Sequence, residues 1–297
     1  MDEAAVVNPA VDIAVRCSIG IGHEKGGRAQ NQDDYLVAQK GPPLSRSEDT
    51  DPGSGDTVGH GILVAVADGM GGHDHGDLAS AAAVRALARL WRKERPSDPE
   101  ALLREWVPLA HRRIRTHWSP DGGRVNMGTT LTALWLVGGN AGWVHVGDSR
   151  LYRRRGPQVH QISRDQTHAE FARRDHREPG PNASYPAQSF IFGSRGLGDD
   201  RALRLDPGLD CSSLLLARGD RFLLCSDGVS GFVSPGILRR ILCHAGSAGE
   251  ASADLLEAAV EGGSDDNLTA LVIDVLELPR SDAPSTWEGD DTLVPLD

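Results

Sequence analysis

Six apolar residues in a row, Ile62 to Ala67, run directly into Asp68-Gly69-Met70-Gly71-Gly72-His73. A fully apolar run of that length reads as a strand buried on both faces. The glycine after Asp68 predicts an immediate turn, because glycine tolerates a positive φ that a side chain would forbid. The combination is an acid held at a sheet edge with bare backbone beside it. Hard cations favour such a place, since they bind through carboxylate and carbonyl oxygens.

The chain repeats the pattern. Asn31-Gln32-Asp33-Asp34, Ser226-Asp227-Gly228 and Ser264-Asp265-Asp266-Asn267 also set acids at strand ends or beside glycine, and Gly147-Asp148-Ser149-Arg150 follows the strand-like stretch 141–146. Taken singly, each is an ordinary turn, for Asp, Asn and Gly are common turn formers. Jointly they carry more. If neighbouring strands bring these ends together, several anions meet and their repulsion is severe at low dielectric. A divalent cation removes that conflict, and an all-oxygen ligand set suits Mg²⁺ or Mn²⁺ rather than zinc.

A length of 297 residues with 39% hydrophobic and 25% charged composition suits one large domain or two small ones. The formal net charge of −11 excludes a surface that attracts nucleic acid as a whole. Cys17, Cys211, Cys225 and Cys243 are far apart and form no CxxC pair, so they read as buried free thiols in a reducing compartment. The start, Met1-Asp2-Glu3-Ala4, lacks the basic and apolar regions of a signal peptide. No run reaches the roughly 18 apolar residues that span a bilayer. The expectation is a cytoplasmic monomer with no membrane partner.

Strand and helix signals fill residues 11–278. The acidic, Pro- and Gly-containing stretch 41–59 reads as an exposed loop, 175–189 as a mobile flap, and 279–297 as a disordered acidic tail. Strands are predicted at 13–20, 129–137, 141–146, 151–154, 214–217, 222–225 and 268–275. Helices are predicted from an Asp77 cap, over 100–117 with a kink or break at Pro108, from Ser234-Pro235 with Ile237, Leu238, Ile241 and Leu242 inward, and over 251–260. Strands cluster and helices come in adjacent pairs, which favours an α+β fold of mostly antiparallel sheets with helices outside.

The ordered set Arg28-Ala-Gln-Asn31-Gln-Asp33, Asp68-Gly-Met-Gly-Gly-His73, Gly128-Thr-Thr130, Gly147-Asp-Ser-Arg150, Ser194-Arg-Gly-Leu-Gly198, Ser226-Asp-Gly228 and Asp266-Asn267 resembles the bacterial branch of the PP2C-type (PPM family) metal-dependent protein serine/threonine phosphatases. A lone Asp-Gly or Gly-Thr-Thr is uninformative; this ordered series is specific. The resemblance implies a four-layer α-β-β-α sandwich with a two-metal site at one end, binding Mn²⁺ or Mg²⁺. It implies that Asp68 bridges both metals, that the Gly69 carbonyl binds one of them, and that Asp227 and Asp266 hold the other. Asp33 would orient water at the metals, and Arg28 would hold the substrate phosphate with its planar fork of donors. The plain alternative for Arg28 is a surface salt bridge.

Asp148 resembles a ligand of a weaker third metal, its alternative being a turn cap. The chain departs from the family pattern at Gly231, where a further acid is often found, which puts a third ion in doubt or leaves it weakly bound. Gln32 stands where Glu is frequent. His73 reads as a packing residue near a helix start, Asp165 as the cap of a helix over 166–174, and Cys225 as core. The implied activity is hydrolysis of phosphoserine and phosphothreonine in proteins, opposing a bacterial protein kinase. The competing readings are a catalytically weak phosphoprotein-binding regulator with the same fold, and a hydrolase of small phosphorylated metabolites.

Overall fold

The computed structural model describes residues 16–39, 43–46, 60–70, 75–118, 128–174, 176, 178, 209–278 and 294–295. In chain order the elements are β1 (Arg16–Glu24), β2 (Asp33–Ala38), β3 (Leu44–Ser45), β4 (Ile62–Met70), α1 (Gly76–Lys93), α2 (Pro99–Trp118), β5 (Gly128–Thr129), β6 (Leu131–Val137) and β7 (Asn140–Val146). They continue with β8 (Arg150–Arg155), β9 (Gln158–Gln161), α3 (His168–Arg174), β10 (Asp210–Leu215), β11 (Arg221–Cys225), α4 (Asp227–Ser230), α5 (Pro235–His244), α6 (Ala248–Glu261), β12 (Leu268–Glu277) and β13 (Val294–Pro295).

Two sheets form, one in the order β1-β12-β11-β8-β9-β13 and the other β10-β7-β6-β4-β2-β3, with β5 pairing the end of β4. Every pairing among the described residues is antiparallel. Side chains of a strand point alternately to its two faces, and the core divides accordingly. On β4, Leu63, Ala65 and Ala67 pack with α1 and α2, while Ile62, Val64 and Val66 meet the opposite sheet. On β12, Ala270 and Val272 pack with α5 and α6, while Leu271, Ile273 and Val275 look between the sheets. Helix pair, sheet, sheet and helix pair give the four-layer α-β-β-α sandwich. Burying a Val, Leu or Phe stabilises by roughly 1.5–3 kcal/mol, and three such layers hold the sheet ends in register.

Local differences from the sequence reading have physical causes. β4 runs on through Asp68-Gly69 to Met70 instead of turning, because β5 pairs Gly69 with Thr129 and Met70 with Gly128. The strand expected over 129–137 is broken at Thr130, whose backbone N–H donates to the Asp68 carbonyl at 2.8 Å. His75 (φ 95°) occupies the cap position before helix α1, with Asp77 in the first turn and not at the cap. Helix α2 continues through Pro108, carried by Leu103, Val107 and Ala110 packed on the sheet. Ile237 is 37% exposed, unlike Leu238, Ile241 and Leu242. Asp165 does not cap α3; the Thr167 hydroxyl accepts the Glu170 N–H, and Asp165 binds Arg150 instead. Cys225 is buried, whereas Cys211 and Cys243 are half-buried; all three are free thiols. The loop at 41–59 and the flap at 175–189 lie outside the described residues, apart from 43–46 and from 176 and 178. Within the tail, Val294–Pro295 pairs with β9. Among the described residues no helix is long and apolar enough to cross a membrane.

Candidate functional site

The site stands at one end of the sandwich, where the layer between the sheets turns from apolar to acidic. Alternation along β4 continues Ile62, Val64, Val66 to Asp68, and along β2 runs back from Val37 and Tyr35 to Asp33. Asp33 and Asp68 are direct register partners. From the facing sheet, the sequence Phe222, Leu224 leads to Ser226 beyond β11, and Ile273, Leu271 leads back to Thr269 on β12. The hydroxyls of Ser226 and Thr269 both donate to Asp33 Oδ2, each at 2.7 Å. Asp33 is 1% exposed.

Asp227 follows Ser226 at the start of α4, and its carboxyl shares a hydrogen bond with that of Asp68. Asp148 follows Gly147, which sits at φ 115°, and is 7% exposed. These groups crowd one another. Burial raises the Asp33 carboxyl to about 7 against two hydroxyl donors that favour its ionised form, and Asp227 and Asp266 add repulsion. Asp68 keeps an open edge, yet its carboxyl is pushed well above the carboxylate range by desolvation and then by Asp33, Asp227 and Asp148. Asp148 rises to about 8 through burial and then Asp227 and Asp165. Asp227 rises through burial first, and Asp266 adds to it.

Asp266 and Arg28 complete the rim. Arg28 Nη2 donates to Asp266 Oδ2 at 2.7 Å, and its side chain is 54% exposed against 30% for Asp266. The loop bearing Arg28 is fastened by Asn267. Its Oδ1 accepts the Gln32 N–H at 2.7 Å, and its Nδ2 donates to the carbonyls of Lys25 and Gln30. Gly69 lies where three segments meet: a Cβ there would come within 2.2 Å of the Gly76 carbonyl and 2.6 Å of the Gln32 carbonyl. Close approach, not a positive φ, selects this glycine. At Gly231 a Cβ would stand 2.8 Å from the Asp227 carbonyl, so the backbone suits the residue present.

Sequence reasoning gave no role to the residues that hold the acids in place. Thr130 accepts the Asp68 N–H and pairs with the Ser149 hydroxyl. The buried ring of His145 lies between the Thr132 hydroxyl and the Gly147 carbonyl. Arg150 clamps Asp165 through two nitrogens. The period-two pattern of each strand, carried one residue past its apolar end, would have found Ser226 and Thr269. His73 and the segment 194–198 lie outside the described residues.

The donor set fits a hard divalent ion. Buried carboxylates press on one another, and Arg28 and Arg150 offset only part of that charge. Among the described residues no three His, Cys, Asp or Glu side chains are arranged to hold an ion as they stand. The carboxyls of Asp68 and Asp227 lie against each other and Asp266 turns to Arg28, so burial and repulsion favour the neutral form of these acids.

Comparison with known proteins decides the family. Residues 51–258 match protein phosphatase 2C. The chain belongs to the protein phosphatase 2C family. Among 2C relatives, the serine/threonine protein phosphatase PstP of Mycobacterium tuberculosis is 37% identical over 220 residues, 72% of this chain and 40% of that protein. The chain thus spans well under half the length of that relative. The protein phosphatase PhpP of Streptococcus pneumoniae is 29% identical over 220 residues, 72% of this chain and 86% of that one. The crystal structure of the M. tuberculosis phosphatase shares the 2C fold with a TM-score of 0.67 at 30% identity, covering 88% of this chain and 99% of that one. A second structure, of the PstP catalytic domain in complex with two manganese ions, gives 0.66 at 30% identity, covering 88% and 99%.

Proposed function

We propose that this chain is a divalent-metal-dependent phosphoprotein phosphatase that hydrolyses phosphoserine and phosphothreonine and opposes a bacterial serine/threonine kinase. The observation that carries the reading is the meeting of Asp33, Asp68, Asp148, Asp227 and Asp266 at one end of the sandwich, with Arg28 on the rim. The relative named as a serine/threonine protein phosphatase supports the substrate class.

In this reading Asp68, Asp227, Asp266 and the Gly69 carbonyl would hold two ions, Mn²⁺ or Mg²⁺, with Asp148 available to a weaker third. When bound, such ions supply the acidity that readies a water for attack and the charge that offsets the phosphoryl oxygens. The chain's own residues do the rest. Asp33, with Oδ2 committed to Ser226 and Thr269, presents its other oxygen to orient the attacking water. Arg28 exchanges or shares its bond to Asp266 and turns its planar fork to two phosphate oxygens. No Ser or Cys nucleophile is needed, and Cys225, pushed up to about 12 by burial, stays a thiol in the core.

The test is dephosphorylation of a phosphothreonine peptide panel with Mn²⁺ titrated into the purified chain, sugar phosphates as comparison and Asp68→Asn as control. Phosphate release from peptides that depends on Mn²⁺ and is lost in the control is expected. No release at millimolar Mn²⁺, or faster release from sugar phosphates, refutes it.

A further inference from the structure

Asp33 is held from behind by a hydrogen-bond chain whose direction can be read from its ends. Asn31 Oδ1 accepts the backbone N–H of Asp33 at 3.0 Å, which turns its amide nitrogen toward His23. That nitrogen lies 2.9 Å from His23 Nε2. An amide NH₂ can only donate, so Nε2 accepts. A neutral imidazole then carries its proton on Nδ1, 2.8 Å from Thr269 Oγ1. Thr269 Oγ1, accepting from the ring, sends its own proton to Asp33 Oδ2 at 2.7 Å. His23 and Thr269 face each other as register partners across β1 and β12, so the link is built into strand pairing. Tyr35 packs edge-on against the ring with centroids 5.3 Å apart. Burial, and then Arg46, draw the ring down to about 4, which keeps it neutral at ordinary pH.

We infer that His23 is a positioning residue: through Thr269 it fixes the carboxylate of Asp33 so that Oδ2 is tied down and Oδ1 is the oxygen turned to the reaction. The ring touches neither substrate nor any proposed ligand of the ions. It acts by polarity, because a ring in the other tautomer would reverse the Thr269 hydroxyl and leave Asp33 a donor short. The inference rests on the phosphatase reading for its effect on rate, but the hydrogen-bond chain stands without it.

Two measurements test it. In the wild-type chain without metal, long-range ¹⁵N–¹H NMR correlations of the imidazole report the tautomer directly. The Nδ1–H form is expected for His23, and the Nε2–H form overturns the inference. Second, an asparagine amide reaches about as far as Nδ1 and a glutamine amide as far as Nε2. His23→Asn therefore keeps a donor for Thr269, while His23→Gln loses it. His23→Gln and Thr269→Val are each expected to lower kcat about 10-fold with KM within about twofold. The double variant should be no slower than Thr269→Val alone, and His23→Asn should recover most of the rate. Equal losses in Asn and Gln, or losses that multiply in the double variant, overturn it. If His23→Gln does not fold, the wild-type tautomer still decides. If wild type releases no phosphate at all, the functional reading fails while the tautomer measurement decides the chain of bonds on its own.

Discussion

Removing divalent ions should make the fold lose stability as pH rises through neutrality. The perturbation is a pH change from 6.5 to 8.5 in a chelator. Asp33 and Asp148 have carboxyls raised in the fold to about 7 and about 8 from 3.8. A group with a raised folded pKa contributes stability that is complete below its unfolded value and is lost as pH climbs through the folded one. The loss therefore runs from about pH 4 to about pH 8. His23, drawn down to about 4 from 6.5, and His145, also lowered by burial, work in the opposite sense mainly below pH 6.5, so the window above 6.5 is dominated by the acids. Integrating proton release over that window gives ~1 kcal/mol for Asp33 and ~2 kcal/mol for Asp148. The two share Asp227 as a neighbour and do not add fully, so they contribute ~2 kcal/mol, and the raised carboxyls of Asp68 and Asp227 act in the same direction; a fall in Tm of roughly 5 °C or more is expected for a chain of this length. The assay is thermal unfolding in chelator at both pH values, repeated in saturating Mn²⁺ and in Asp148→Asn. Manganese at 100 times its Kd should raise stability by about 2.7 kcal/mol per site and remove the slope. A Tm in chelator that is flat or rises over the window, or a slope unchanged in Asp148→Asn, refutes the reasoning.

Asp68→Asn should nearly abolish turnover while leaving the metal-free Tm close to wild type, since the carboxyl it replaces already resists ionisation among its buried acidic neighbours; retained turnover at saturating Mn²⁺ contradicts the role. Arg28→Ala should raise KM for a phosphopeptide with calorimetric Mn²⁺ affinity little changed, and Arg28→Lys should not restore KM, because an ammonium lacks the planar fork. Gly69→Ala should cost about 1–3 kcal/mol in chemical denaturation, because its Cβ would meet the Gly76 and Gln32 carbonyls. A melt indistinguishable from wild type would show that the backbone there gives way.

What could be read from the chain alone follows from which forces are local. The layers were legible because Leu63, Ala65 and Ala67 alternate with Ile62, Val64 and Val66, and alternation is a property of the strand itself. The acids were legible because charge at the end of an apolar run conflicts with burial. The course of β4 past Asp68 was not, since its pairing with β5 depends on residues more than fifty positions away. Gly69 was noticed for a wrong reason: turn chemistry is local, whereas the contacts that select it come from Gly76 of α1 and from Gln32, just before β2. The exposed Ile237 shows the same limit, as helical spacing marks a face but not how far the partner surface extends. Ser226, Thr269 and His23 carry no charge signal, and only the sheet pairing reveals what they support.

Asn267 ties the loop around Arg28 and Gln32 across 235 positions of chain, and Thr269 reaches Asp33 across 236. During synthesis, then, Asp33 and Asp68 emerge from the ribosome long before the strand that orders their surroundings. A nascent chain halted before residue 267 would hold an unfinished acidic cleft and an untethered arginine. Such high contact order slows folding, but it also keeps the acidic cleft unassembled until the strand that completes it has been translated.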